Sequence, residues 1–229
     1  MQTALIVDVE TTGLSKTDEI IELAAMLVEY DLSGVILGVV ETYTGLRQPG
    51  VPISARARKV HGITASMLKN QTLDDARVQS LLDRANLIIS HNAQFDKQFI
   101  DKQYPPAAEK EWRCSMDGID WDFRGNLSKS LENLAKDYGI PTPNAHRAMG
   151  DCQTVYELLK IDNHFQELLA GEQARIVRLQ SSYEEKYPVQ VDGEGQYQRN
   201  IQKIVGYYDE DGYEDDSHRA TLHIHPDHL

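Results

Sequence analysis

Cysteine is scarce in this chain. Only Cys114 and Cys152 occur among 229 residues, so no disulfide framework holds the fold. Long apolar runs are missing too: none approaches the roughly 20 residues of a membrane span. Met1-Gln2-Thr3 leads straight into a strand-like run, and no signal peptide is visible. A reduced, cytoplasmic protein with no membrane partner is the expectation, with Cys114 as an inert core thiol. Positive charge is also in deficit. Lys and Arg number 23 against 36 Asp and Glu, a formal net charge of -13. Residues 1–165 carry -6 and residues 166–229 carry -7, so the second part is far more acidic per residue. This argues against a protein that grips long duplex by its phosphates. It leaves room for an enzyme that holds a strand end through bound metal.

What is present is enough chain for one sizeable core plus a small appendage. Residues 4–10 read as a first strand. Ile20 to Tyr30 and Val35 to Tyr43 read as two more, joined by the turn-forming Asp31-Leu32-Ser33-Gly34. Ser54 can cap a short helix closed by His61-Gly62-Ile63. Residues 72–84 read as a helix with Thr72 as cap. Leu87 to Ser90 is a short apolar strand, followed by a helix over about 93–103 that Pro105-Pro106 stops. A short strand at 111–115 and helices over 128–138 and 147–161 complete this part. Strands first, then helices alternating with short strands, predict an α/β protein with a mixed sheet.

The chemistry gathers at three places. On the first strand Asp8 and Glu10 share a face, because successive strand side chains alternate. Two adjacent carboxylates repel each other; a divalent cation removes the conflict, and hard oxygen ligands suit magnesium or manganese. Thr11-Thr12-Gly13 then turns the chain, Gly13 allowing tight or positive-φ geometry. In His91-Asn92-Ala93-Gln94-Phe95-Asp96, Asp96 falls in the first turn of a helix, whose N-terminus favours the ionised acid. In His146-Arg147-Ala148-Met149-Gly150-Asp151, a loop imidazole precedes an aspartate just inside the next helix, and such an imidazole can accept a proton from water. Each place also has a plain reading: a strand and polar turn, a first-turn helix charge, an exposed loop histidine.

Taken together, Asp8-x-Glu10, Asp96 five residues after His91, and His146 five residues before Asp151 resemble the DEDDh 3′–5′ exonuclease family, which is DnaQ-like and of the polymerase III epsilon, RNase T and oligoribonuclease type. The likeness covers roughly residues 1–161. It implies an RNase H-like fold with a five-stranded mixed sheet flanked by helices. It implies that Asp8, Glu10, Asp96 and Asp151 hold two Mg2+ or Mn2+ ions, and that His146 is the general base. The products would be nucleoside 5′-monophosphates released from a 3′ end. By the same resemblance Thr11, Thr12, Gly13 and Leu14 line the terminal nucleotide, His61 faces its base or sugar, and Asn92 and Phe95 lie near the penultimate one. His91 is expected as a structural hydrogen-bonder. Trp112 to Met116 stands where many relatives carry an Asp-Thr pair, which departs from the family pattern.

Residues 163–186 read as one longer helix, either packed on the core or acting as a spacer. Beyond it lie short β-like pieces at 189–191, 197–205 and 220–224, an acidic run from Asp209 to Asp216, and His223, His225 and His228. Val191 to Gln198 resembles the opening of HIRAN-type modules, which bind DNA 3′ ends; an unrelated β-containing appendage is the other reading. The expected substrate is the 3′ end of single-stranded DNA or RNA, with DNA favoured. The rival readings are an accessory that docks onto a polymerase or repair partner, an RNA-trimming enzyme, and a binding module without catalysis.

Overall fold

The computed structural model describes residues 1–171. Three long strands open the chain: β1 (Gln2–Thr11), β2 (Ile20–Tyr30) and β3 (Ile36–Leu46). Helices α1 (Ala55–His61), α2 (Ala65–Leu68) and α3 (Asp75–Arg84) follow. Then come β4 (Leu87–Ser90), α4 (Ala93–Gln103), a 3-10 turn (Pro105–Glu109), β5 (Glu111–Cys114), α5 (Leu131–Asp137) and α6 (Ala148–Lys160). The five strands form one sheet in the order β3-β2-β1-β4-β5. β1 with β2 and β2 with β3 are antiparallel, whereas β4 runs parallel to both β1 and β5. This is the mixed α/β sheet expected from the sequence.

Both faces of the sheet are covered, which is why β2 is apolar almost throughout. Ala4, Ile6, Ala24 and Met26 point to the face packed by Cys152, Val155 and Leu158 of α6 and by Trp121 and Leu134. Leu5, Val7, Val9 and Leu23 point to the opposite face, packed by Val78, Leu81 and Leu82 of α3 and by Phe99 and Ile100 of α4. Fully burying one such aliphatic side chain contributes about 1.5–3 kcal/mol.

Several boundaries move. The third strand starts at Ile36 and runs to Leu46, past the expected Tyr43. Asp74, not Thr72, caps α3: its carboxylate accepts the Arg77 N–H at 3.0 Å. α2 was not anticipated; four residues are too few to show a helical period. The β2–β3 turn is tied by the Asp31 carboxylate, which accepts the backbone N–H groups of Ser33 and Val35, each at 2.9 Å. Cys114 is only half-buried, at the end of β5, so the core thiol is Cys152. Residues 164–171 are helical, and Phe165 and Leu168 are buried in the α6-side core. The remainder of the expected 163–186 helix, the β-like pieces, the HIRAN-like stretch, the acidic run and the three late histidines lie outside the described residues. Among the described residues no helix is long and apolar enough to cross a membrane.

Candidate active site

β1 is the central strand, and it outruns its neighbour. It pairs with β4 only over Ala4–Ile6, while its pairing with β2 continues to Thr11. The overrunning end carries Asp8 and Glu10 on the α6 face. From α6, Asp151 approaches the same point. Each of these three half-buried carboxylates offers one oxygen, and the three oxygens lie within 4.8 Å of one another. Burial pushes the Asp8 carboxyl well above its usual range, and Asp96, Asp151, Glu10 and Glu22 push it further. Glu10 is raised to about 8, by burial first and then by Asp151. Asp151 is raised by burial, against the pull of a backbone hydrogen bond from His146 and of the His146 ring. Hard oxygen donors that hold protons because they are buried and crowd one another suit a divalent cation, which displaces those protons.

Asp96 stands beside this cluster, and its own oxygens are already occupied. Oδ1 accepts the Val9 N–H at 3.0 Å, a donor left without a strand partner where β1 outruns β4. Oδ2 accepts the Ser90 hydroxyl. The helix N-terminus was expected to favour the ionised acid. Instead its pKa rises to about 7, because burial outweighs the hydrogen bonds that pull it down.

His146 is exposed, with φ +59, a left-handed conformation uncommon for a side-chain-bearing residue. Its loop folds onto the first turn of α6, and Gly150 permits this: a Cβ there would sit 2.1 Å from the Asn144 carbonyl oxygen. Two residues that the motif reading passed over hold the helix start. Glu22, opposite Glu10 in the β1–β2 pair, accepts the Arg147 Nη2 at 2.6 Å, its Nε at 3.0 Å and the Ala148 N–H at 3.1 Å. The signal available in sequence was an acid near the start of a strand that is apolar from Leu23 to Val28.

The residues expected to line a nucleotide divide. Thr11 and Thr12 are buried and engaged within their own turn. Thr11 Oγ1 donates to the Gly13 carbonyl at 2.6 Å, and Thr12 Oγ1 donates to Asp18 at 2.7 Å. Gly13 needs no positive φ; a Cβ there would meet the Asp18 carboxylate at 2.7 Å and displace it from its bonds to Thr12 Oγ1 and the Ser15 N–H. Leu14 projects from that turn, 64% exposed. Asn92 is exposed in a left-handed conformation with no capping bond, and Phe95 packs edge-on to Phe99 with its ring half-buried. His61 is buried, and its Nδ1 accepts the Ile63 N–H at 2.9 Å. His91 spends both ring nitrogens on protein, Nε2 towards the Lys129 carbonyl and Nδ1 towards the Ser115 hydroxyl.

The family model for the RNase T exonucleases matches residues 5–159. The chain belongs to this exonuclease family. It is 30% identical over 163 residues to the DNA polymerase III subunit epsilon of Aquifex aeolicus, an alignment covering 68% of this chain and 78% of that one. It is 33% identical to the PolC-type DNA polymerase III of Bacillus subtilis over 170 residues, 70% of this chain but only 11% of that much longer one. Among solved structures it is similar to exonuclease X in complex with 5′ overhanging duplex DNA, at 26% identity and a TM-score of 0.54, covering 69% of this chain and 89% of that one. It shares its fold with Escherichia coli exonuclease I in complex with a dA16 oligonucleotide, at 20% identity and a TM-score of 0.60, spanning 77% of this chain and 45% of that one. The enzyme is thus a 3′–5′ exonuclease with an RNase H-like fold, and its acidic cluster is of the kind that holds divalent metal.

Proposed function

We propose that the enzyme removes nucleoside 5′-monophosphates one at a time from the 3′ end of single-stranded DNA. The observation that carries this reading is the convergence of Asp8, Glu10 and Asp151, three raised carboxylates from two distant segments. They would hold Mg2+ or Mn2+, with Asp96 at the rear of the cluster completing the four-carboxylate set for two ions. Such ions stabilise the charge on the attacking and leaving oxygens of an in-line phosphoryl displacement. The residues of the chain do the rest. His146, on the exposed loop, takes the proton of the attacking water. Asp151 accepts a backbone hydrogen bond from His146 and so steadies that loop. Leu14 presents an apolar edge to the terminal base. The buried Thr11-Thr12-Gly13 turn shapes the floor beneath it, backed by His61, and Asn92 and Phe95 flank the preceding nucleotide.

DNA is favoured over RNA because the named relatives are a DNA polymerase subunit, a DNA polymerase and an exonuclease bound to DNA. The likeness to polymerase III epsilon also supports a second reading, in which the enzyme works docked on a polymerase. A 5′-labelled single strand tests the first reading. With Mg2+ or Mn2+ it shortens stepwise, and Asp8→Ala or Asp151→Ala stops it. An intact strand with every metal, in both DNA and RNA form, sinks it. Stable co-elution with a polymerase from cell extract supports the docked form, and full activity of the isolated chain on mismatched ends counts against it.

A further inference from the structure

The hydrogen bonds that tie residues 141–148 to the sheet all end, among the described residues, on Glu22. The rest of that loop is held by the Ala145 N–H to the Thr142 carbonyl, by the approach of Asn144 to Gly150 of α6, and by the His146 backbone hydrogen bond to Asp151. Arg147 occupies the N-cap position of α6 and makes no capping bond with its side chain. Glu22 supplies the cap from β2 instead, by accepting the Ala148 N–H.

This acid is an expensive choice for stability alone. It is 3% exposed and lies directly across the strand pair from Glu10, and like charges opposite one another in a sheet are destabilising. A buried acid also loses its hydration. What it gains is a two-point grip on one guanidinium, the geometry in which arginine binds a carboxylate most firmly. The Arg147 charge in turn stabilises the ionised form of Glu10.

We propose that Glu22 and Arg147 are positioning residues of the exonuclease. The pair fixes the start of α6 against β2 and thereby sets the reach of His146 and Asp151 to Asp8 and Glu10. This rests on the nuclease reading of that cluster. The pair touches no substrate. It acts through His146, the loop residue immediately before Arg147, and through the first turn of α6, which ends in Asp151.

The test compares Glu22→Gln, Arg147→Met, Arg147→Lys and the double variant Glu22→Gln/Arg147→Met. The readouts are kcat and KM on a 5′-labelled oligonucleotide with Mg2+, and hydrogen exchange of the backbone amides over 144–151. Misplacing reacting groups slightly costs about 10- to 100-fold in rate. We therefore expect kcat to fall by about that factor in Glu22→Gln and Arg147→Met, with KM little changed and partial recovery in Arg147→Lys. The double variant should be no slower than the slower single one, because the pair acts as a unit. Exchange over 144–151 should quicken while β1 and β2 stay protected. Unchanged kcat, a loss confined to KM, or additive losses overturns the proposal. Arg147→Lys keeps a cation beside the buried Glu22, so it folds even where Glu22→Gln or Arg147→Met, which breaks the buried pair, does not. Should the unaltered enzyme cut neither DNA nor RNA, the nuclease reading fails by itself. Exchange then decides the tether: faster exchange over 144–151 upholds it, and unchanged exchange overturns it.

Discussion

The Val9 backbone N–H on β1 donates to the Asp96 carboxylate on α4 at 3.0 Å. This bond joins an acid from one sheet face to the strand bearing Asp8 and Glu10 on the other. Ser90 supplies the second donor to the same carboxylate. Ser90→Ala leaves a buried carboxylate oxygen without its partner, which costs about 1–3 kcal/mol. Urea unfolding of the variant should show a lower midpoint at an unchanged slope. A midpoint equal to that of the unaltered enzyme refutes this.

Burial of the site carboxylates, and after it their mutual repulsion, gives the metal-free enzyme a pH dependence. Glu10 titrates near 4.5 unfolded and at about 8 folded, and Asp96 near 3.8 unfolded and at about 7 folded. Between those values the folded chain holds protons that the unfolded chain has released. These acids therefore lower stability as pH rises from about 4.5 to 8. His61, His91 and His164 act against them: burial lowers their pKa values from 6.5, so they favour folding as pH rises towards 6.5. Divalent metal binds the folded form and reverses the loss. Denaturant melts in EDTA at pH 6.5 and pH 8, repeated with Mg2+, check this. If Glu10→Gln and Asp96→Asn leave the stability difference between pH 6.5 and pH 8 in EDTA unchanged, the raised pKa values of the two acids are contradicted.

His146→Ala should lower kcat by about 10²- to 10⁴-fold, the range for losing a general base. Divalent ion binding, followed by calorimetry, should persist, since His146 is not among the clustered donors. If ion binding vanishes along with activity, the proton-acceptor role is wrong.

Gly150→Ala places a methyl group 2.1 Å from the Asn144 carbonyl oxygen. The loop must shift, at about 1–3 kcal/mol, and it carries His146 with it. Thermal melting and kcat should fall together. Leu14→Ala should behave in the opposite way. An exposed side chain changes stability by no more than about 0.5 kcal/mol, while KM for single-stranded DNA rises. A change in kcat alone would remove Leu14 from the substrate surface.

The individual strands and the placing of each motif acid on its strand or helix were legible because they follow from local pattern, while the single five-stranded sheet came from the family resemblance. β2 spans Ile20–Tyr30 in both readings, since its apolar run is bounded by clear turn residues. Glu22 was not legible in this way. Its importance comes from register, which places it across from Glu10 and under Arg147, and spacing along one strand says nothing about register. The balance of effects on Asp96 was not legible for a similar reason. A helix N-terminus is visible in sequence, whereas the burial that outweighs it exists only after α4 has packed. Gly13 was understood as a turn glycine, but the reason for it, the Asp18 side chain folding back across it, depends on a loop closure five residues later.

Phe165 sets its ring edge-on to Tyr30, with centroids 5.0 Å apart, and Leu168 is wholly buried. A shortened enzyme cut after Asp162, where the nuclease motifs have all been passed, would expose the far end of β2 to water. Any minimal catalytic fragment therefore has to extend at least through Leu168 to keep that seam dry.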